Sequence, residues 1–264
     1  MVKPKWTLNR EIYDIVYSPT SHSKNGLILE NKEYAGTLSF ENNNCRLIGD
    51  IKVCDKVHYN QSLVRGNGDN VVTPMALVNF HTHPLQCYKD NKVIWGWPSG
   101  EDLAHCVRIA KDGNLYHVIF TVEGTFIIKV NVTDINEKII QCLEEIFKQT
   151  HKYRWYKNME DNSSLEEEFD NYIKISGMKP TGNGILEKWI NFVNNFKLEH
   201  CAKYTKVKLD KNSNVRVYNM QFIPNDSVQF KLPPDQGFSQ LLKINSYNDF
   251  NTLVKTPTSV TFSL

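Results

Sequence analysis

Two histidines and an aspartate have the types and spacing that suit metal chemistry. His81 and His83 stand two residues apart at the end of an apolar run. Side chains of a β-strand alternate between its two faces, so both imidazoles are expected on the same side, where they can chelate one ion. Asp102 follows near the start of a predicted helix. Two neutral nitrogens and one carboxylate leave a fourth position open, which is the usual plan of a catalytic zinc site, and zinc is the default metal for this ligand set.

Ser99 precedes Asp102 by three residues, and this spacing supports two compatible interpretations. Serine followed three residues later by an acidic residue, before an apolar run, is close to the capping box that begins many helices. A capped helix start is also a rigid platform from which Asp102 can be aimed at a metal. His105 and Cys106 lie just beyond, and because no further ligand cluster accompanies them we predict that they bind no second metal.

The segment Phe80-His81-Thr82-His83-Pro84, followed by Ser99-x-x-Asp102, resembles the JAMM signature of the MPN (JAB1/MPN/Mov34) metalloproteases. The family pattern also contains a glutamate well upstream, in a stretch like E-x-x-G-x-L at the start of a strand. The segment Glu33–Leu38 supplies this stretch, 48 residues before His81. The resemblance covers roughly residues 10 to 132, about half of the chain.

Two features qualify the match. Glu30 and Glu41 are nearby alternatives to Glu33, which is preferred because a glycine and a leucine follow it at the family spacing. The segment from Pro84 to Pro98 contains fifteen residues, more than the family usually has between the second histidine and the serine. Within this insertion Trp95 and Trp97 are candidates either to grip an extended peptide or to pack the loop onto the domain.

The resemblance implies an α/β fold of the MPN (cytidine-deaminase-like) type, with a mixed β-sheet flanked by helices. It also implies a zinc-dependent isopeptidase that hydrolyses (iso)peptide bonds of ubiquitin or a ubiquitin-like modifier. By position, His81, His83 and Asp102 would bind Zn²⁺, with a water molecule as the fourth ligand. Glu33 would take a proton from that water and deliver it to the leaving amine, and Ser99 would donate a hydrogen bond to the oxyanion. No G-x-S-x-G nucleophile elbow is present, and no cysteine lies in a protease-like context.

The elements that must position these residues are predicted to be α/β in the first half of the chain. Apolar patterns predict strands at 11–17, 36–40, 46–53 and 75–80, a helix at 101–110, and a hairpin of strands 117–122 and 125–130. The Asn run at 42–44 is a predicted turn. The polar stretch 55–70, which ends in Gly66–Asn70, is a predicted long loop.

The second half has a different pattern, of helices followed by a short β-rich part. Asp134 and Glu137 form a capping signature before the apolar stripe Ile135, Ile139, Leu143, Ile146 and Phe147. Ser164 and Glu167 repeat it before Phe169, Tyr172 and Ile173. A third stripe consists of Leu186, Trp189, Ile190, Val193 and Phe196. We interpret these stripes as core, and expect β-structure from Lys203 onward. The chain is thus divided into a catalytic domain, 1–132, and an extension, 133–264.

Composition limits the classes of partner. The 264 residues include 31 Lys and Arg against 29 Asp and Glu, and this near balance argues against a dedicated nucleic-acid binder. The six cysteines contain no C-x-x-C pair, which indicates buried free thiols in an intracellular, cytoplasmic protein. No apolar run approaches the length of a membrane span, and the first residues lack an apolar signal core.

An alternative function is a structural or recruitment subunit that uses an MPN scaffold in a larger assembly, either cellular or viral. The second half would then dock the chain into that complex, in the host cytoplasm or the virion. Family members without catalysis generally lose signature residues, and this chain keeps all five, which favours catalysis. A zinc deaminase requires H-x-E and a later P-C-x-x-C, and the chain has neither.

Overall fold

The computed structural model describes residues 6–8, 10–40, 45–48, 51–54, 56–132, 136–150, 183–199, 214–227, 231–232, 234–258 and 260–262. The α-helices in these ranges are α1 (Arg10–Tyr17), α2 (Leu85–Asn91), α3 (Gly100–Ala110), α4 (Glu137–Thr150), α5 (Asn183–Asn195), α6 (Pro234–Leu242) and α7 (Tyr247–Leu253). The strands are β1 (Trp6–Leu8), β2 (Tyr34–Phe40), β3 (Cys45–Ile48), β4 (Ile51–Cys54), β5 (Lys56–Arg65), β6 (Val78–Thr82), β7 (Tyr116–Phe120), β8 (Gly124–Val130), β9 (Tyr218–Pro224), β10 (Asp226–Ser227), β11 (Val254–Lys255) and β12 (Val260–Phe262).

The fold is built on one mixed sheet of eight strands, in the order β12-β1-β5-β2-β6-β7-β8-β9. The β1–β5 and β6–β7 pairs are parallel, and the other neighbours are antiparallel. Helices flank this sheet, which confirms the predicted α/β class with a mixed sheet. β3–β4 and β10–β11 form two small separate ladders.

Strand β6 lies in the interior of the sheet and carries the first candidate ligand. All five of its residues are buried, as expected for a strand covered on both faces. The apolar run had predicted a strand at 75–80, but β6 starts at Val78 and continues through Thr82. Met75 and Leu77 precede the ladder and are each more than two-fifths exposed.

The prediction of a strand at 11–17 is wrong, because Arg10–Tyr17 is helix α1. Its β-branched residues favour a strand, yet Ile12, Ile15 and Val16 also follow the i, i+3, i+4 spacing of a helix. These three side chains are buried in the core. The short segment satisfied both periodicities, and packing against the sheet decided between them.

The predicted loop at 55–70 is also largely wrong. Residues Lys56–Arg65 form β5, the longest of the described strands, which pairs with β2 along most of its length and with β1 at Lys56 and Val57. This pairing satisfies backbone groups of a strand whose sequence is polar. Of the described residues in this stretch, Gly66–Asn70 form a loop. The predicted strand at 46–53 is divided between β3 and β4, and the predicted turn at 42–44 lies outside the described residues.

The helix at 101–110 and the hairpin at 117–130 are confirmed as α3 and β7–β8. Two of the predicted helical stripes are also core: Ile139 and Leu143 of α4, and Leu186, Trp189, Val193 and Phe196 in and just after α5. The Asp134 cap and the predicted helix at 164–173 lie outside the described residues.

The tail is not only β-rich, since helices α6 and α7 lie within 234–253. Strands β9 and β12 come from beyond residue 132 and extend the main sheet at opposite edges, next to β8 and β1. Both halves of the chain therefore share one sheet and one hydrophobic core. The domain boundary at 132 stays a prediction.

Two further expectations concern cysteines and membranes. Cys87 and Cys106 are free thiols, whereas Cys142 in α4 is disulfide-bonded, contrary to the prediction of free thiols. Among the described helices, none combines the length and the apolar character needed to cross a bilayer.

Candidate metal centre

The two histidines of the motif meet at the end of β6. His81 pairs in register with Ala35 of β2 and Ile119 of β7, and the backbone N–H of His83 donates to the Phe120 carbonyl (2.8 Å). Their alternation along the strand places both rings on one side, as predicted, with the two Nε2 atoms 2.9 Å apart. Each residue is only 4% exposed.

Glu33 joins the histidines from the start of β2. Its carboxylate lies 3.9 Å from His83 Nε2, and one donor atom from each of Glu33, His81 and His83 falls within 4.8 Å of the others. The loop after β5 fixes its backbone: Glu33 N–H donates to the Gly68 carbonyl, and Gly66 N–H to the Glu33 carbonyl, both at 2.8 Å. A side chain at Gly66 would collide with a backbone carbonyl 2.2 Å away.

The alternatives to Glu33 are placed elsewhere or not described. Glu30 accepts a hydrogen bond from Ser23 and does not belong to the cluster. Glu41 lies outside the described residues. Of the described candidates, the glutamate preferred from the sequence is therefore the one beside the histidines.

Asp102 and Ser99 reach the histidines from the first turn of α3. Asp102 Oδ1 lies 3.4 Å from His81 Nε2, and its Oδ2 lies 3.5 Å from His83 Nε2. Ser99 is the N-cap: its hydroxyl oxygen accepts from Asp102 N–H (3.0 Å) and its O–H donates to Asp102 Oδ2 (2.7 Å), while Ser99 N–H also donates to that carboxylate. The capping box is confirmed, and it holds Asp102 beside the imidazoles.

The insertion between His83 and Ser99 packs into the core beside this centre. It begins with α2, and Trp95 and Trp97 are 1% and 0% exposed, with their rings 5.0 Å apart. Trp97 also packs on Trp189 of α5. The tryptophans therefore belong to the core, and the alternative in which they grip a peptide is wrong. Cys87 from the same insertion lines the cleft above the centre.

Gly96 in the insertion sets the orientation of His83. The His83 Nδ1 atom lies 2.7 Å from the Gly96 carbonyl oxygen. A carbonyl only accepts, so Nδ1 carries the proton and a neutral His83 presents the Nε2 lone pair to the centre. A Cβ at Gly96 would lie 2.1 Å from the Tyr88 hydroxyl, so the peptide is packed tightly in place.

A buried carboxylate holds that peptide. Glu123 is fully buried, accepts from Gly96 N–H (2.6 Å) and accepts from the Tyr88 hydroxyl, which in turn accepts from Val122 N–H (3.0 Å). Burial raises the pKa of Glu123 to about 7, against the opposing effect of these hydrogen bonds. Glu123 could not be identified from the sequence, because a Glu-Gly turn in a hairpin normally faces solvent.

His81 has a second support on the neighbouring strand. Its Nδ1 lies 2.7 Å from His117 Nε2, and His117 Nδ1 lies 2.5 Å from Asn79 Oδ1. Asn79 Nδ2 donates to the Pro74 carbonyl (3.0 Å). Burial, with the nearby His81, lowers the pKa of His117 well below its usual range. Asn79 and His117 could not be identified from the sequence either, since the register that pairs them is a property of the folded sheet.

His105 and Cys106 do not join the cluster. His105 Nε2 is hydrogen-bonded to Thr73 Oγ1 (2.6 Å) at the wall of the cleft. Burial raises the pKa of the Cys106 thiol well above its usual range, so this cysteine is a poor nucleophile.

The centre opens into a cleft of about 660 Å³. Carboxylates of Glu33, Asp69, Glu101 and Asp102 line it, and no described Lys or Arg does. Imidazole nitrogens and carboxylate oxygens are ligands for divalent transition metals. The Nε2 lone pair of His83 faces His81 Nε2, and the two nitrogens are 2.9 Å apart. Nitrogens this close need a cation or a proton between them. The donor set therefore fits a divalent metal ion.

Comparisons with known proteins add one relative. The chain is 24% identical over 168 residues to the uncharacterized protein 3R of Frog virus 3 (isolate Goorha). The similarity covers 62% of this chain and 35% of that protein, so the matched part is about a third of the relative's length. No protein-family model and no solved structure matches the chain.

Proposed function

We propose that the protein is a zinc-dependent isopeptidase of the JAMM/MPN type, acting on ubiquitin or a ubiquitin-like modifier. One observation carries the proposal: Glu33, His81, His83, Ser99 and Asp102, five positions spread over 70 residues of sequence, meet at one cleft. The mixed sheet, with the histidines on an interior strand and the aspartate on a helix that follows, is compatible with an MPN fold.

His81, His83 and Asp102 would hold the zinc ion. When bound, zinc supplies Lewis-acid chemistry and lowers the pKa of a water molecule towards about 7. The histidines supply neutral nitrogens, and Asp102 supplies negative charge from a helix start that its own capping box makes rigid. Asp102 Oδ2 already accepts hydrogen bonds from Ser99, which fixes the direction of its oxygens.

Glu33 serves as the general base and acid. Its carboxylate is 3.9 Å from His83 Nε2, is 7% exposed, and sits on a backbone pinned by two hydrogen bonds. A carboxylate fixed in this way beside the histidines would be placed to take a proton from water and to return it to the leaving amine.

Ser99 provides the oxyanion donor. Its oxygen is held by Asp102 N–H, and its single O–H points at Asp102 Oδ2 in the structure. To donate to a developing oxyanion, the hydroxyl would have to turn away from Asp102 Oδ2 while its oxygen stays in place. Such donors are typically worth about 10²–10³ in rate.

The carboxylates of the cleft suit a reaction that releases an amine, as hydrolysis of an isopeptide or a peptide bond does. Hydrolysis of an isopeptide bond releases a lysine amine, which becomes a cation at neutral pH. A cleft lined by carboxylates, including the exposed Asp69 and Glu101, stabilises that product and attracts a cationic segment of substrate. The viral relative favours a viral setting, in which the enzyme would act on modified proteins of the host cytoplasm.

Metal analysis and cleavage of di-ubiquitin test the proposal together. We expect stoichiometric zinc and turnover in the wild type, loss of both in His81→Ala, and loss of turnover with zinc retained in Glu33→Gln. Glu30→Gln is a matched control, because Glu30 lies close in sequence but bonds to Ser23. A wild type that binds zinc but cleaves no modifier would contradict the substrate class, and one without zinc or turnover would favour the scaffold alternative.

A further inference from the structure

His117 occupies a position that the proposed chemistry does not use. It is 1% exposed and lies on β7, where its Nε2 contacts His81 Nδ1, the ring nitrogen that faces away from the cleft. We propose that His117 is a positioning residue that fixes the tautomer of His81 and thereby sets the metal affinity of the centre. This inference rests on the metal site proposed above, with zinc as the working metal.

With neutral imidazole rings, the chain of hydrogen bonds has one consistent assignment, which starts at the backbone. The Pro74 carbonyl can only accept, so the Asn79 amide turns its NH₂ group towards it. The Asn79 oxygen then faces His117 Nδ1 and accepts from it. The Pro74 carbonyl, which can only accept a hydrogen bond, thus decides the orientation of the Asn79 amide.

The assignment passes from His117 to His81. A neutral imidazole carries one N–H, and His117 uses it on Asn79, so its Nε2 is an acceptor. Complete burial favours this neutral form, because a buried imidazolium would need a compensating charge. His81 Nδ1 must then donate to His117 Nε2, which leaves the lone pair of His81 on Nε2, facing the centre.

The two histidines therefore reach the same tautomer by different means. A backbone carbonyl, that of Gly96, orients His83, whereas a side chain orients His81. The second support is a side-chain atom, so one substitution deletes it without changing the backbone. Supports of this kind typically contribute about 10–100-fold to metal affinity.

The test compares zinc affinities by competition with a chromophoric chelator. His117→Leu removes the acceptor at similar volume, and we expect zinc affinity about 10–100-fold weaker. His117→Gln can place its amide oxygen near His81 Nδ1 and should restore most of the loss. His105→Leu is the control, since His105 lies nearby but bonds to Thr73, and its affinity should match the wild type.

A spectroscopic measurement on the wild type decides the matter independently of whether the variants fold. Ring ¹⁵N shifts of the zinc-loaded protein should show His81 protonated on Nδ1 and metal-bound through Nε2. The opposite tautomer, or equal zinc affinity in wild type and folded His117→Leu, overturns the inference while leaving the metal site intact. A wild type that binds no zinc removes the metal site itself, and the inference with it.

Discussion

The buried carboxyl of Glu123 predicts a pH dependence of stability that requires no metal or substrate. Glu123 is fully buried, and desolvation raises its pKa from 4.5 to about 7 even though Tyr88 and Gly96 donate hydrogen bonds to it. Unfolding returns the carboxyl to water and to its ordinary pKa. Between these two values, the folded protein holds a proton that the unfolded chain has released.

The sign of the effect follows from proton linkage. Where the folded state binds more protons, the free energy of unfolding falls as the pH rises. The titration of Glu123 therefore leaves the free energy of unfolding unchanged below pH 4.5 and lowers it progressively up to about pH 7. Above that pH the reduction stays constant. The difference between the two pKa values corresponds to a loss of about 3 kcal/mol.

Urea unfolding with EDTA present, from pH 4.5 to pH 8, measures this loss. Glu123→Gln keeps the size of the side chain and removes its titration, so subtracting the variant cancels the other groups. We expect the unfolding free energy of the wild type relative to Glu123→Gln to fall by about 3 kcal/mol across this range. Tyr88→Phe removes a hydrogen bond that favours the ionised form, so it should raise the folded-state pKa of Glu123 and extend the upper end of the pH window. A difference that stays constant with pH refutes the reasoning.

Two further substitutions test the supports of the centre. In Gly96→Ala the new methyl would lie 2.1 Å from the Tyr88 hydroxyl, so we expect a loss of about 1–3 kcal/mol in urea unfolding, and weaker zinc binding as the carbonyl leaves His83. Unchanged stability and zinc affinity would contradict the tight packing. Ser99→Ala removes the N-cap and should cost about 0.5–2 kcal/mol; we expect zinc still to bind, more weakly because Asp102 loses the Ser99 hydroxyl, and the proposed isopeptidase turnover to fall about 10²–10³-fold. Turnover within a few-fold of the wild type would exclude the oxyanion role.

The local sequence pattern was sufficient to predict those elements that have a clear apolar periodicity and a recognisable cap or turn at one end. Helix α3 has an apolar repeat and the Ser99 cap, and the β7–β8 hairpin has two apolar runs around a glycine turn. Helix α1 was too short for its β-branched residues to reveal the period. Strand β5 was missed because its stability comes from the two strands that flank it.

The same distinction applies to the centre. His81, His83, Asp102 and Ser99 could be found because they sit at fixed short spacings, and Glu33 because of the residues that follow it. Their supports could not be found in this way. His117 meets His81 through the parallel β6–β7 register, and Glu123 meets Gly96 across a hairpin and an insertion. Such contacts are set by tertiary pairing, which a single sequence does not display.

The segment between His83 and Ser99 contributes directly to the structure of the centre. The inserted segment supplies the Gly96 carbonyl that selects the His83 tautomer, and Tyr88 of the same segment holds the carboxylate that fixes Gly96. Glu123 is costly to bury, yet it is the acceptor for Gly96 N–H, which would otherwise be an unsatisfied buried donor. Removing the part of this segment that contains Tyr88 and Gly96 would therefore remove the hydrogen-bond partner of His83 and leave Glu123 buried without its two donors. A loss of both stability and metal affinity is expected, where a passive loop would lose neither.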